Sequence, residues 1–368
     1  ITPSYSGADV RNYSITNHAD VTANITTKSL SVSGVTASDK TYDGSVTATM
    51  NSSSAVYSGF VNGDDFAASY SGVFANANVG SGKTVTITSS YAGADVSNYN
   101  ITDQTSTTAN ISAKALTATA SASNKVYDGS SAATSTLTLS GFVGSETVTS
   151  TNSSTFNNKN AGTGKTVTVN SITLADGTNG GLAANYSIST GQTTTANVTA
   201  KALTVSGITA SNKVYDSTTN ATTVLSFSGL IGSETINNTN SSTFDNKNIG
   251  TGKTVTVNSL TLVDGSNGGL ASNYSISSGQ TTTANVSARP LTVSNISASN
   301  KSYDGTTTVT LDTSNVSYNG LVSGDDFTGG FSGGFANENI GTGRIVNITS
   351  SYSGDDIGNY NITDQSTH

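Results

Sequence analysis

The chain repeats itself with a period of about 87 residues, and no other feature limits the fold as much. The word Tyr-Asp occurs at Tyr42-Asp43, Tyr127-Asp128, Tyr215-Asp216 and Tyr303-Asp304, with tyrosine spacings of 85, 88 and 88 residues. A lysine stands two residues before each tyrosine: Lys40, Lys125, Lys213 and Lys301. Each unit opens on a basic-x-Leu word (Lys28-Ser29-Leu30, Lys114-Ala115-Leu116, Lys201-Ala202-Leu203, Arg289-Pro290-Leu291). A period this long exceeds one coil of a β-helix or one leucine-rich repeat and matches a small domain with its own core. The boundaries read as 1–27, the C-terminal part of a preceding repeat; then 28–113, 114–200 and 201–288; then 289–368, a fourth repeat lacking its last strand. The chain reads as a window on a longer array.

The repeats come in two kinds. The second and third share "TNSSTF" and "GQTTTAN"; the first and fourth share "GDDF" and "NYNITDQ". Within each unit, apolar and polar residues alternate. Val255 and Val257 alternate with Thr254 and Thr256, and Ala284 and Val286 with Asn285 and Ser287. Period two with one apolar face describes a half-buried strand. Turn words separate these runs about every 8–12 residues, which predicts six or seven strands per unit in a small antiparallel β-sandwich of immunoglobulin-like type. The alternative is a β-grasp-like unit whose short helix falls at 153–161. Junctions such as "ANVTAKALTVS" (196–206) leave almost no linker, so the array is expected to be a stiff rod.

Composition excludes several functions. Net charge is −8 and the sequence pI about 4.6, which excludes nucleic acid and anionic membrane surfaces as partners. No cysteine is present, so disulfides and thiolate metal sites are excluded. No apolar run reaches the ~18–20 residues of a membrane span, so this segment does not insert.

"NIGTGKTVTV" (248–257) ends like a phosphate-binding loop, and variants of it recur at 78–87, 160–169 and 339–348. The motif also needs a glycine five residues before Gly252 or Gly164, where Lys247 and Lys159 stand, and a helix afterwards, where a strand pattern follows. The word is therefore a turn, with Gly250 and Gly252 as positive-φ positions. The two histidines, His18 and His368, do not recur in the units, so no catalytic constellation forms. The chain reads as no enzyme, with no catalytic, cofactor-binding or metal-ligating residues. Asp128 and Asp216 read as turn residues accepting backbone N–H bonds. The pairs Asp64-Asp65, Asp325-Asp326 and Asp355-Asp356 offer oxygen ligands to calcium, the one cofactor left open, without EF-hand spacing. The lysine before Tyr-Asp reads either as a cover for the tyrosine or as one half of an isopeptide crosslink. Asn24, Asn110, Asn197 and Asn285 recur in Asn-x-Ser/Thr words and are candidate glycan acceptors.

"ALTVSGITASNKVYDSTTNATT", "FDNKNIGTGKTVTV" and "NYSI" together resemble the YDG and related MBG repeats of large bacterial exoproteins, adhesin-like proteins of the filamentous-haemagglutinin kind. The resemblance covers all four units. It implies a cell-surface stalk or fibre mediating attachment, cell–cell contact or biofilm, and an extracellular location. It supplies no catalytic residues. The third unit departs from the pattern with Ser217 in place of glycine. The expected partners are adjacent repeats of the same chain, identical chains in a filament or bundle, and a surface glycan or protein receptor. Two other readings stand beside the stalk: a ligand-binding array, which needs exposed aromatic clusters, and a filament subunit completed by strand donation between chains.

Overall fold

The computed structural model describes residues 2–368. It is all-β, built as four tandem repeats; among the described residues the only helical elements are five 3-10 turns. The helix of the β-grasp alternative does not form: Val148–Phe156 is a strand and the residues after it bend. The reason is its sequence, "VTSTNSSTF", which alternates and carries no 3.6-residue apolar period.

The third repeat shows the arrangement in full. Lys201–Ala202 pairs in parallel with Tyr274–Ser275, and Thr204–Ala210 pairs antiparallel with Thr223–Ser228. A five-stranded sheet follows, in the order Lys213–Val214, Thr281–Ser287, Gly250–Asp264, Ile236–Phe244, Asn220–Ala221. Its inner pairs are antiparallel, but Lys213–Val214 runs parallel to Thr281–Ser287. The pairing is thus mixed, not purely antiparallel as expected. One parallel contact joins the first strand to Tyr274–Ser275 and the other joins the last strand to Lys213–Val214, so each ties the start of the repeat to its end. More strands form than expected, because two-residue pairings such as Lys213–Val214 add to the longer runs.

The alternation predicted for the long strands holds. Val255 and Val257 are fully buried, and Ala284 and Val286 nearly so. Burying such a side chain stabilises by roughly 1.5–3 kcal/mol.

The structure divides into two compact units that do not follow the sequence repeats. The first holds residues up to Ser121 together with Thr134–Ser154 and Thr168–Thr194; the second holds Ala122–Ala133, Thr155–Val167 and Thr195–His368. In the first unit, Tyr42, Phe74, Val85 and Ile111 of the first repeat share a core with Leu116, Val148 and Tyr186 of the second. In the second unit, Tyr127, Phe156 and Val198 of the second repeat pack with Leu203 and Tyr274 of the third, and Tyr215, Phe244 and Val286 of the third with Leu291 and Tyr360 of the fourth. The expectation that each repeat buries a core of its own is therefore only half the picture. Private clusters exist, such as Val32, Val35 and Ile87, but the largest buried aromatics sit where consecutive repeats meet.

Candidate functional site at the repeat junctions

The tyrosines of the first three Tyr-Asp words, Tyr42, Tyr127 and Tyr215, point forward into the next repeat. The strand of each ends beside the last strand of its own repeat, which continues directly into the first strand of the following one. That covalent continuity brings a second tyrosine, from the Asn-Tyr word of the following repeat, against it. Three such pairs form, Tyr42–Tyr186, Tyr127–Tyr274 and Tyr215–Tyr360, each edge-to-face with centroids 5.5 Å apart.

A carboxylate from the following repeat accepts both hydroxyls. Tyr42 and Tyr186 donate to Glu146 at 2.7 and 2.6 Å, and Tyr127 and Tyr274 donate to Glu234 at 2.7 and 2.6 Å. In the third junction the work is divided: Tyr360 donates to Asp325 at 2.5 Å, and Tyr215 lies 3.3 Å from Asp356. A lysine closes two of the three clasps. Lys159 reaches Glu234 at 3.0 Å and Lys247 reaches Asp356 at 2.7 Å. At the corresponding place in the first repeat stands Ala77, so Glu146 receives two phenols and no cation among the described residues.

Burial and these bonds move the ionisations. Burial, then the bond to Glu234, pushes Tyr274 up to about 12. Burial and a carboxylate neighbour likewise push Tyr42 and Tyr360 up to about 12. Burial works to raise Glu234, but the bonds from Tyr274, Tyr127 and Lys159 outweigh it and hold the carboxyl below its ordinary value. Lys247 holds Asp356 down against burial. The result is an anionic carboxylate clasped by neutral phenols, a charge-assisted arrangement stronger than neutral pairing.

A buried asparagine adds a second tie. Asn185, Asn273 and Asn359 accept from the backbone N–H of Val79, Ala161 and Ile249 at 2.9, 2.8 and 3.0 Å. Their amides donate back to Asn78, Asn160 and Asn248. The "NIG" of the phosphate-loop-like word is thus where one repeat grips the next.

The other candidates fall around this junction. Gly252 has φ +60°, as expected of the turn, but Gly250 does not have positive φ; it begins the strand and pairs with Val286. Asn110, Asn197 and Asn285, the glycan candidates, accept from Gly82, Gly164 and Gly252 N–H at 2.8, 2.7 and 2.8 Å and so hold the turn. The lysines before Tyr-Asp, Lys40, Lys125, Lys213 and Lys301, bond the word's own aspartate at 2.7–2.8 Å. Three of these ammonium groups also lie 5.6 Å from the ring centres of Phe74, Phe156 and Phe244. Asp128 and Asp216 accept the expected backbone bonds, from Ser130 and Thr218.

Ser217 keeps the left-handed backbone of the glycine it replaces, with φ +63°, and its hydroxyl bonds Asp325 at 2.7 Å. That cross-repeat bond offsets the strain of a side chain at positive φ. Of the acidic pairs, Asp325 and Asp356 belong to the third clasp, where Lys247 pairs with Asp356 at 2.7 Å and lies 3.7 Å from Asp325. Among the described residues no three His, Cys, Asp or Glu side chains gather as a metal cage. Sequence reading missed Glu146 and Glu234 altogether; the "GSE" word that carries them recurs in both repeats, and that recurrence was the available signal.

A family described as YDG domain has a model that matches residues 26–108, 112–196, 199–284 and 287–367 of this chain. No curated protein matches the chain.

Proposed function

The chain belongs to the YDG domain family, and from that premise we propose that its repeats form the stalk of an extracellular bacterial adhesin. The observation that carries this reading is the recurrence of one buried clasp at three successive junctions, Tyr42–Glu146–Tyr186, Tyr127–Glu234–Tyr274 and Tyr215–Asp356/Asp325–Tyr360. A joint with a shared apolar core and a charge-assisted clasp resists bending, which a stalk holding a binding tip away from a cell requires. Serine, threonine and asparagine on the outward strand positions suit a hydrated surface with only 10% charged residues.

Six of the fifteen tyrosines, among them the recurrent Tyr42, Tyr127 and Tyr215, are inside these joints and not presented to a ligand, which weighs against the ligand-binding reading. The test is negative-stain electron microscopy of the purified chain, followed by surface display in series of increasing repeat number. Strings of uniform width, with attachment of a grafted tip improving as repeats are added, are expected. Globules on flexible tethers, or attachment indifferent to repeat number, overturn the reading.

A further inference from the structure

We propose that Lys253 and Asn246 of the third repeat join side chain to side chain in an isopeptide bond, with Asp245 moving the protons. The bond belongs to one hairpin and does not depend on what the array is used for.

Lys253 is the lysine of the phosphate-loop-like word, and it does not extend into water. Its side chain is 9% exposed, and its stem folds back over Gly250, where an added Cβ would meet Cγ and Cδ at 3.1 Å. That contact accounts for a glycine without positive φ: Gly252 supplies the turn and Gly250 supplies room for the lysine. Nζ of Lys253 then stands 2.5 Å from Oδ1 of Asn246 and 3.1 Å from Oδ1 of Asp245. The same Asn246 oxygen accepts the backbone N–H of Asn248 at 3.1 Å. An amine, a carboxamide, a donor on the carboxamide oxygen and a carboxylate beside the amine thus meet in one hairpin.

These are the parts that aminolysis of an amide needs. Asp245 takes a proton from the Lys253 ammonium, and the free amine attacks Cγ of Asn246, the atom next to the oxygen it already touches. As the new C–N bond forms, the carbonyl electron pair moves onto Oδ1, where the Asn248 N–H stabilises it. The pair returns, the bond from Cγ to Nδ2 breaks, and Asp245 hands its proton to the departing nitrogen. The proton shed by the new amide nitrogen completes the balance: ammonium plus carboxamide give a secondary amide and one ammonium ion. No oxidant or other reactant takes part. Proton transfer to Asp245 is uphill, but the partners are held together and the bond forms only once per molecule. Asn246 is exposed, so the ammonia departs directly into water.

The other repeats supply the controls. Lys83 reaches Asn76 at 2.6 Å and Lys165 reaches Asn158 at 2.5 Å, but Ala75 and Asn157 stand where the third repeat has Asp245. Lys165 is buried, and burial holds it below the ordinary lysine value, so only the carboxylate is missing there. In the fourth repeat Arg344 bonds Asn337, and a guanidinium does not give up its proton to become a nucleophile. The bond would close the loop that carries Lys247, Asn248 and Ile249, the residues that reach Asp356 and Asn359 of the next repeat. It therefore fixes the shape of the segment that grips the following repeat.

Intact-mass spectrometry of the purified chain, with sequencing of its tryptic peptides, tests this. The chain is expected to be lighter than its sequence by one ammonia. Trypsin is expected to spare Lys253 and to leave a branched peptide joining the segment that ends at Lys247 to the one that carries Lys253. Lys253→Arg, which copies Arg344, and Asp245→Asn, which copies Asn157, each return the chain to its full sequence mass with unchanged circular dichroism. Asn157→Asp adds a second loss of ammonia, at Lys165. Full sequence mass in the parent chain, or a loss that persists in Lys253→Arg, overturns the bond. A loss that persists in Asp245→Asn, or no second loss in Asn157→Asp, overturns the role given to the carboxylate.

Discussion

Tyr127 and Glu234 lie 107 positions apart in the chain and 2.7 Å apart in space, and the bond between them is buried. Its removal by Tyr127→Phe leaves the carboxylate with Tyr274 and Lys159 only. The expected cost is about 1.5–3 kcal/mol, the value of a hydrogen bond to a charged group. Tyr303→Phe, at the same place in the fourth repeat but exposed, is expected to change stability by less than about 0.5 kcal/mol. Urea unfolding of the two variants measures the contrast; equal losses contradict the clasp.

The clasps set two pH limits. Glu234, Asp325 and Asp356 are held below their ordinary values of 4.5, 3.8 and 3.8. The native state therefore binds fewer protons than the unfolded chain there, and this stabilisation is present above the ordinary carboxylate range and lost as pH falls through the depressed values. Tyr42, Tyr274 and Tyr360 are raised from 10 to about 12. Their stabilisation is complete below pH 10 and is lost on the way to pH 12, on the order of 2 kcal/mol for each. Denaturant midpoints measured across pH are expected to form a plateau with a fall at each end. A midpoint that stays level from pH 10 to 12 refutes the alkaline limb.

Glycine at the third position of the Tyr-Asp-Gly word serves the joint in two ways. At Gly129 φ is +78°, and an added Cβ would lie 2.7 Å from Cγ2 of Ile231 in the next repeat. At Gly305 φ is +73° but nothing lies within 4 Å. Gly305→Ala is expected to cost only the backbone strain, about 1–2 kcal/mol, and Gly129→Ala more than that. Thermal unfolding of both variants gives the order, and the reverse order would show that Ile231 does not press on the word.

The first junction lacks the cation that closes the other two. Ala77→Lys is expected to place an ammonium beside Glu146, as Lys159 stands beside Glu234, and to add up to about 1 kcal/mol. The gain should shrink in high salt, because the pair is partly exposed. A gain that persists in molar salt would point to packing by the lysine stem instead.

Much of this was legible before any coordinates. Alternation at Val255 and Val257 announced the strand and its buried face, since a strand turns successive side chains to opposite sides. Gly252 and Asp216 announced turns, because positive φ and short-range acceptors are local matters. The grouping of Glu146 with Tyr42 and Tyr186 was not legible, since nothing local distinguishes a clasping glutamate from a solvated one. The role of Lys125 was hidden for a related reason: its reach to Asp128 and to the ring of Phe156 depends on how the strands lie together.

By itself, then, the sequence determined the repeat length, the all-β character and the positions of strands and turns, because these follow from backbone sterics and the period of apolar residues. Only the tertiary structure decided where the cores lie. The last strands of the first three repeats run directly into the next repeat, and Tyr42, Tyr127 and Tyr215 leave water by entering the following one. Burial is consequently shared between the joints, which hold the largest buried aromatics, and the smaller private clusters of single repeats.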